Sequence, residues 1–190
     1  MMLKRFSLLA AGLLLSLGAW ANPAVEITTT AGKITLELYP EKAPKTVESF
    51  LQNARHGFYE GTVFHRVIDG FMIQGGGFNG LMEEKKPRTP PLPNEADNGL
   101  TNERGTIAMA RTADPHSARV QFFINLKNNS FLNFRSPTQG GYGYAVFGRV
   151  TQGLDVVDQI GKVATGNVGY YENVPLKPVI IQSVKIISEK

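Results

Sequence analysis

Residues 64–77 constrain the fold of this chain most strongly; they run Phe-His-Arg-Val-Ile-Asp-Gly-Phe-Met-Ile-Gln-Gly-Gly-Gly. Two short apolar runs flank an Asp-Gly pair, a pattern typical of a tight turn between two antiparallel strands. The three consecutive glycines that follow favour a bend at the end of the second strand. We therefore predict a β-hairpin followed by a bend, within a protein rich in antiparallel strands.

The side chains of this hairpin can be sorted by face, because strand side chains alternate between the two faces of a sheet. Strict alternation places Phe64, Arg66 and Ile68 together. In the second strand it places Phe71 with Ile73, and Met72 with Gln74. A guanidinium buried without a partner is very costly, so Arg66 either has a partner or lines an open groove. The alternative is an arginine that extends along the sheet wall into solvent.

The first 21 residues have the features of a signal peptide. Lys4 and Arg5 precede an apolar run at residues 8–17, and Ala19-Trp20-Ala21 has the small-x-small form of a cleavage site. The run is too short to span a membrane, although a retained anchor helix is the alternative. The chain contains no cysteine, which suits an oxidising compartment. We predict a signal peptide at 1–21, one folded domain at 22–190, and a periplasmic location without membrane attachment after cleavage.

The charge of the predicted mature chain argues against nucleic-acid binding. The full sequence carries a net charge of +4, which falls to +2 once the two basic residues of the signal segment are removed. Lysine and arginine are scattered along the chain, whereas a nucleic-acid binder concentrates them in a patch. The only tryptophan, Trp20, lies in the segment that is predicted to be cleaved.

The rest of the pattern predicts short strands and two helices. One helix begins near Pro44 and ends at Gly57, and a second spans residues 154–160, each with apolar residues at helical spacing. Residues 81–93 are charged and proline-rich, which predicts a solvated loop. The remaining strands are predicted at 25–30, 33–39, 105–110, 120–125, 144–150 and 178–188. We predict a mostly β protein, a closed eight-stranded antiparallel β-barrel capped by two α-helices.

Several familiar kinds of catalytic site are disfavoured by the sequence. The three histidines lack ligand-like spacing, so no metal is predicted. Asp114, His116 and Ser117 are too crowded to form a hydrolytic triad. The glycine run at 75–77 is not followed by the helix and lysine of a phosphate-binding loop, and no cofactor is predicted. An arginine, a glutamine and several Phe and Met residues on strands remain, which indicates a binding groove.

The hairpin motif, followed by Gly105-x-Ile107-x-Met109-Ala110, Gln121-Phe122-Phe123-Ile124 and Val146-Phe147-Gly148-Arg149-Val150, resembles the cyclophilin family in order and spacing. The match runs over essentially the whole predicted mature chain. The signal segment and residues 94–100 are most similar to those of periplasmic bacterial members. This resemblance implies peptidyl-prolyl cis-trans isomerase activity, and proline-containing polypeptides and unfolded client proteins as partners of a monomeric enzyme.

The resemblance also implies roles for individual residues. Arg66 matches the catalytic arginine, and Gln74 matches the glutamine that orients it and contacts the substrate backbone. The positions that match the proline pocket are Phe71, Met72, Phe123 and Leu132. The positions that match the peptide-binding strand and its neighbour are Ala110, Arg111 and Gln121.

At four positions the chain departs from common family residues. Arg111 stands where eukaryotic members often have asparagine, and Val120 replaces a common serine. At the substrate-binding rim, Tyr144 stands where many members have histidine, and Phe131 where many have tryptophan. The missing indole removes a hydrogen-bond donor, which implies weak cyclosporin binding at most. A non-catalytic proline-peptide-binding chaperone module is the alternative function, because binding alone needs only the apolar pocket and free backbone edges.

Overall fold

The computed structural model describes residues 22–189 of the protein. The predicted signal segment lies outside the described residues. The helices are α1 (Pro44–Arg55) and α2 (Leu154–Gly161), with a short 3-10 helix at Ser130–Leu132. The strands are β1 (Ala24–Thr29), β2 (Gly32–Leu38), β3 (Thr62–Ile68), β4 (Met72–Asn79), β5 (Thr106–Met109), β6 (Phe122–Asn125), β7 (Val146–Gln152), β8 (Thr165–Val168), β9 (Tyr171–Pro175) and β10 (Ile181–Ser188).

Eight strands form one antiparallel sheet in the order β10-β1-β2-β7-β5-β6-β4-β3. The edge strands β3 and β10 approach each other near an isolated bridge between Val63 and Ile180. Beside this bridge the Phe64 N–H donates a hydrogen bond to the Val179 carbonyl at 3.0 Å. In this register the next partner along is Pro178, which has no N–H to extend a ladder. The prediction of a closed barrel was wrong: the sheet is an open, curled half-barrel.

The helices pack their apolar stripes onto the main core, as their helical spacing predicts. On α1, the ring of Phe50 lies 5.1 Å from Tyr59, 5.8 Å from Phe122 and 5.3 Å from Phe147. Such tilted and edge-to-face aromatic contacts add to the stabilisation from burial alone. On α2, Val157 and Ile160 are fully buried in the same core.

The β3–β4 hairpin is present, but its alternation is interrupted. Phe64 lies opposite Gly75 while Arg66 lies opposite Gln74, so the register shifts between them at a β-bulge. The extra residue turns Phe64 into the main core with Ile73 and leaves Arg66 exposed. The prediction that Phe64 shares a face with Arg66 was therefore wrong. The prediction that Phe71 shares a face with Ile73 was also wrong, because Phe71 lies in the turn before β4 and packs on the other cluster.

One glycine of the following run has a clear steric role. Gly76 has φ +84°, and a Cβ there would lie 2.8 Å from the Phe122 ring and 3.1 Å from that of Tyr59. A larger residue would be strained by the backbone conformation and would also displace the aromatic core. The prediction of a bend at the three glycines was wrong, because they lie inside β4, where Gly76 allows the strand to approach the Phe122 and Tyr59 rings closely.

A second, two-stranded sheet was missed by the sequence analysis. It consists of β8 and β9, joined by a turn in which Gly169 has φ +58°. The sheet packs beside β3 and β4, where the Tyr171 ring lies 5.2 Å from that of Phe78 in an edge-to-face contact. The exposed, weakly alternating residues of these strands carry little burial pattern, which is why they were not recognised.

Candidate active site

A small apolar cluster separate from the main core forms the floor of the candidate site. Met72, Ala108, Phe123 and Val146 are buried together on four adjacent strands. Their neighbours along the chain point the other way, as Phe122 shows by lying in the main core. Strand alternation thus gives the curled sheet a second apolar surface on its opposite face.

Above this floor lies a cavity of about 120 Å³. It is lined by Arg66, Phe71, Met72, Gln74, Ala110, Arg111, Phe123, Leu132 and Tyr144. Two further candidate residues lie next to it: Gln121, which accepts a hydrogen bond from Gln74 Nε2 at 3.0 Å, and Phe131, whose ring stacks on that of Phe71 at 5.6 Å. The structure therefore brings together every residue that the sequence analysis assigned to the site.

Two arginines line the cavity, and the side chain of Arg66 is the one that has no protein partner among the described residues. It is exposed on β3, and in the described part of the chain its guanidinium makes no hydrogen bond and no ion pair. Gln74 is its cross-strand neighbour, but the Gln74 amide N–H is directed to Gln121. The guanidinium is thus available to a ligand, and an orienting role for Gln74 remains a prediction.

Arg111 is engaged differently. Its Nε donates to the Gly143 carbonyl at 2.9 Å, and its Nη1 donates to the Thr112 carbonyl at 2.8 Å. The guanidinium carbon lies 4.6 Å from the centre of the Tyr144 ring, within the range of a cation–π interaction. Tyr144 also meets Phe123 edge to face at 5.6 Å. Arg111 therefore fixes the position of an aromatic wall of the cavity.

A larger groove of about 410 Å³ continues from the cavity and shares Gln74, Ala110 and Arg111 with it, and Gln121 lines the groove alone. Its other wall includes Glu84, Pro87 and Pro91, from the segment that the sequence predicted to be only a solvated loop. Arg119 also lines this groove. Three arginines and one glutamate line the two connected spaces, which makes the groove electropositive. The sequence offered no signal for this loop contact, because it depends on tertiary packing.

Asp114, His116 and Ser117, which the sequence suggested were too crowded for a hydrolytic triad, make the local contacts of a turn. His116 Nδ1 accepts the Asn94 backbone N–H at 3.0 Å, and Ser117 Oγ donates to the Asp114 carbonyl at 2.7 Å. The serine hydroxyl is thus directed away from the imidazole, unlike in a catalytic triad. Within residues 22–189 no group of three His, Cys, Asp or Glu side chains is arranged to hold a metal.

The described helices include none that is both long and apolar enough to cross a membrane.

Comparison with known proteins identifies the family of this site. Residues 24–186 match the family model described as cyclophilin type peptidyl-prolyl cis-trans isomerase. The chain is 59% identical over 163 residues to peptidyl-prolyl cis-trans isomerase cyp18 of Streptomyces antibioticus, covering 86% of this chain and 98% of the relative. It is 53% identical over 162 residues to peptidyl-prolyl cis-trans isomerase B of Escherichia coli K12, covering 85% and 98%.

Solved structures of cyclophilin type isomerases have the same fold as this chain. A cyclophilin type isomerase of Cryptosporidium parvum superposes with a TM-score of 0.69 at 26% identity, covering 88% of this chain and 99% of that one. The same protein solved in the presence of the dipeptide Ala-Pro gives a TM-score of 0.68 at 26% identity, covering 87% and 99%. This chain belongs to the cyclophilin family of peptidyl-prolyl cis-trans isomerases.

Proposed function

We propose that Arg66 accelerates rotation about Xaa-Pro bonds by stabilising the half-rotated imide. Twisting a peptide bond breaks amide resonance and meets a barrier of ~18–20 kcal/mol. Before proline, the cis and trans forms differ by only about 0.5–1 kcal/mol, so the limitation is rate. The single observation that carries the proposal is the Arg66 guanidinium, which has no hydrogen bond or ion pair within residues 22–189 and lies at a cavity with Met72 and Phe123 in its wall.

The site is proposed to act by electrostatic stabilisation of the transition state. In the twisted state the prolyl nitrogen becomes pyramidal and regains a lone pair, which a guanidinium N–H can bind but which both planar states lack. A donor held in this position favours the transition state over either ground state. The rotation breaks no covalent bond, so it requires no nucleophile. Turnover on the order of 10² s⁻¹ corresponds to a barrier of about 15 kcal/mol, which requires a reduction of roughly 3–5 kcal/mol.

The apolar walls are proposed to grip the proline ring. Met72, Phe123, Leu132 and Phe71 line the cavity, and a proline ring seated against them would exclude water from the hydrogen bond formed by Arg66. Gln74, Gln121 and the Ala110 backbone are proposed to contact the peptide chain in the adjoining groove. The relative solved in the presence of Ala-Pro supports proline-containing polypeptides as ligands.

The alternative is a peptide-binding module that holds unfolded chains without catalysing rotation. The presence of Arg66 at the cavity favours the enzyme, because an apolar pocket and backbone edges suffice for holding alone. The full mature protein should accelerate cis-trans exchange in a short Xaa-Pro peptide. It should also speed the proline-limited refolding of a client protein, and a protein that suppresses client aggregation but accelerates neither process would support the alternative.

We further propose that residues 1–21 direct the chain to the periplasm, where it catalyses the folding of secreted proteins as a monomer. Cleavage after Ala21 removes the only tryptophan of the chain. Protein purified from the periplasm should therefore begin at Asn22 by mass spectrometry and show no tryptophan fluorescence. A periplasmic product that retains Trp20 emission would contradict this cleavage site.

Cyclosporin binding is proposed to be weak because Phe131 offers no N–H at the rim of the cavity. Its side chain is 59% exposed and stacks on Phe71, so the position can accept a larger ring. Phe131→Trp is expected to strengthen cyclosporin affinity about tenfold, the effect of one added hydrogen bond to an incompletely desolvated ligand. Calorimetric titration checks this, and equal affinities of the two proteins would refute the role of the indole.

A further inference from the structure

Three buried asparagines behind the cavity form a connected unit, which we call the asparagine triad: Asn102, Asn125 and Asn129. Their exposed fractions are 1%, 0% and 0%. Asn129 Nδ2 donates to Asn125 Oδ1 at 2.8 Å, and Asn125 Nδ2 donates to Asn102 Oδ1 at 3.2 Å. Buried amides are costly unless their hydrogen bonds are made, so this chain of bonds is a specific feature.

Donors at the Asn129 and Asn102 ends of the asparagine triad reach backbone carbonyls in the walls of the cavity. Asn129 Nδ2 donates to the Phe71 carbonyl at 3.0 Å. Asn102 Nδ2 donates to the Leu132 carbonyl at 3.2 Å and to the Tyr144 carbonyl at 3.3 Å. These three wall residues lie outside the strands of the sheet, in a turn, a short 3-10 helix and a loop. The triad thus joins three segments outside the sheet to Asn125, the last residue of the interior strand β6.

We propose that the asparagine triad is a positioning unit that sets the spacing between Phe71 and the Leu132–Tyr144 wall, and with it the affinity for the proline ring. The inference rests on the proposed function of the cavity. Because none of the three side chains lines the cavity, they act through the wall residues and are not catalytic.

One detail separates positioning from simple space filling. Asn129 Oδ1 is buried and has no hydrogen-bond partner among the residues that the structure describes. An unsatisfied buried acceptor destabilises the folded state, so an apolar side chain of similar size would fill this space at lower cost. What an apolar side chain cannot supply is the pair of N–H donors that joins Phe71 to Asn125. The amide is therefore explained by the connection that it makes.

Asn129→Leu removes both donors while keeping a similar volume. We expect the Kd for an Ala-Pro-containing peptide to rise about tenfold, the cost of two lost hydrogen bonds that position the wall. The kcat should stay within about twofold, because Arg66 lies on β3 and has no bond to the triad. Isotope-edited NMR titration gives Kd, and exchange spectroscopy gives the rate on the enzyme.

Asn53 offers a matched control. It is also a buried asparagine, 3% exposed, and its Nδ2 donates to the Ser49 carbonyl at 2.8 Å within α1, away from the cavity. Asn53→Leu should lower the melting temperature and leave Kd unchanged. If Asn129→Leu also lowers only the melting temperature, the triad is merely structural and the proposal is overturned.

A milder variant covers the case in which Asn129→Leu fails to fold. Thr106 Oγ1 accepts the second Asn125 N–H at 2.9 Å, so Thr106→Val loosens the triad at its outer end. We expect a two- to threefold rise in Kd, and an unchanged Kd would overturn the proposal. Because Kd is measured by binding, this result stands even if the wild-type protein proves inactive, which would refute only the proposed catalysis.

Discussion

Arg66→Ala is expected to lower kcat/KM for an Xaa-Pro peptide by about 10²- to 10³-fold, the usual loss when one preorganised transition-state donor is removed. The side chain is exposed and makes no hydrogen bond or ion pair within residues 22–189. Its removal therefore leaves no partner unpaired, and the melting temperature should stay within a few degrees of the wild-type value. A protease-coupled assay of the mature protein measures the rate.

Arg149→Ala is the control for this loss of charge. Arg149 lies on β7, is 61% exposed and pairs with Glu37 at 3.4 Å, outside the cavity. The control removes one positive charge but should keep wild-type activity, since an exposed ion pair contributes little. An Arg66→Ala protein as active as this control would exclude Arg66 as the main donor.

Stability is expected to fall as the pH decreases from about 6.5 toward 4, because of His65. Burial lowers the pKa of this imidazole to about 4, and the charge of neighbouring Arg66 acts in the same direction. In this window the unfolded chain binds a proton that the folded protein does not, so protonation favours unfolding. The full difference between the ordinary histidine pKa of 6.5 and the folded-state pKa of about 4 corresponds to about 3 kcal/mol in the free energy of unfolding.

His65→Phe should remove most of this slope. The imidazole is 5% exposed, lies 4.6 Å from the Phe78 ring at an interplanar angle of 57°, and has no partner at Nδ1 within residues 22–189, so a phenyl ring fits the same surroundings. Urea unfolding at several pH values between 4 and 7 provides the measurement, with the exposed His56→Gln as a control for losing a histidine. A slope that survives in His65→Phe but disappears in His56→Gln would contradict the assignment.

The sequence predicted the parts of this molecule that depend on local periodicity. The shared face of Met72 and Gln74 follows from strand alternation, and the burial of Val157 and Ile160 follows from helical spacing. Resemblance to a known family then identified every residue around the cavity. The roles of these residues are still to be tested by substitution.

The errors arose where distant segments meet. The bulge at His65 has no local signal, and it moved Phe64 into the core. The sheet stays open because Pro178 lies opposite β3. That position is set by the bridge between Val63 and Ile180, two residues that are 117 positions apart in the sequence. The asparagine triad was invisible for the same reason, since its partners come from four separate segments.

The central claim is that Arg66 acts on the half-rotated state and not on binding. Exchange NMR of a labelled Xaa-Pro peptide gives the cis-trans interconversion rate on the enzyme and the Kd from one sample. For Arg66→Ala we predict that the rate on the enzyme falls at least about 10²-fold while Kd changes less than about threefold. A variant that interconverts bound peptide at the wild-type rate but has lost affinity would contradict the account.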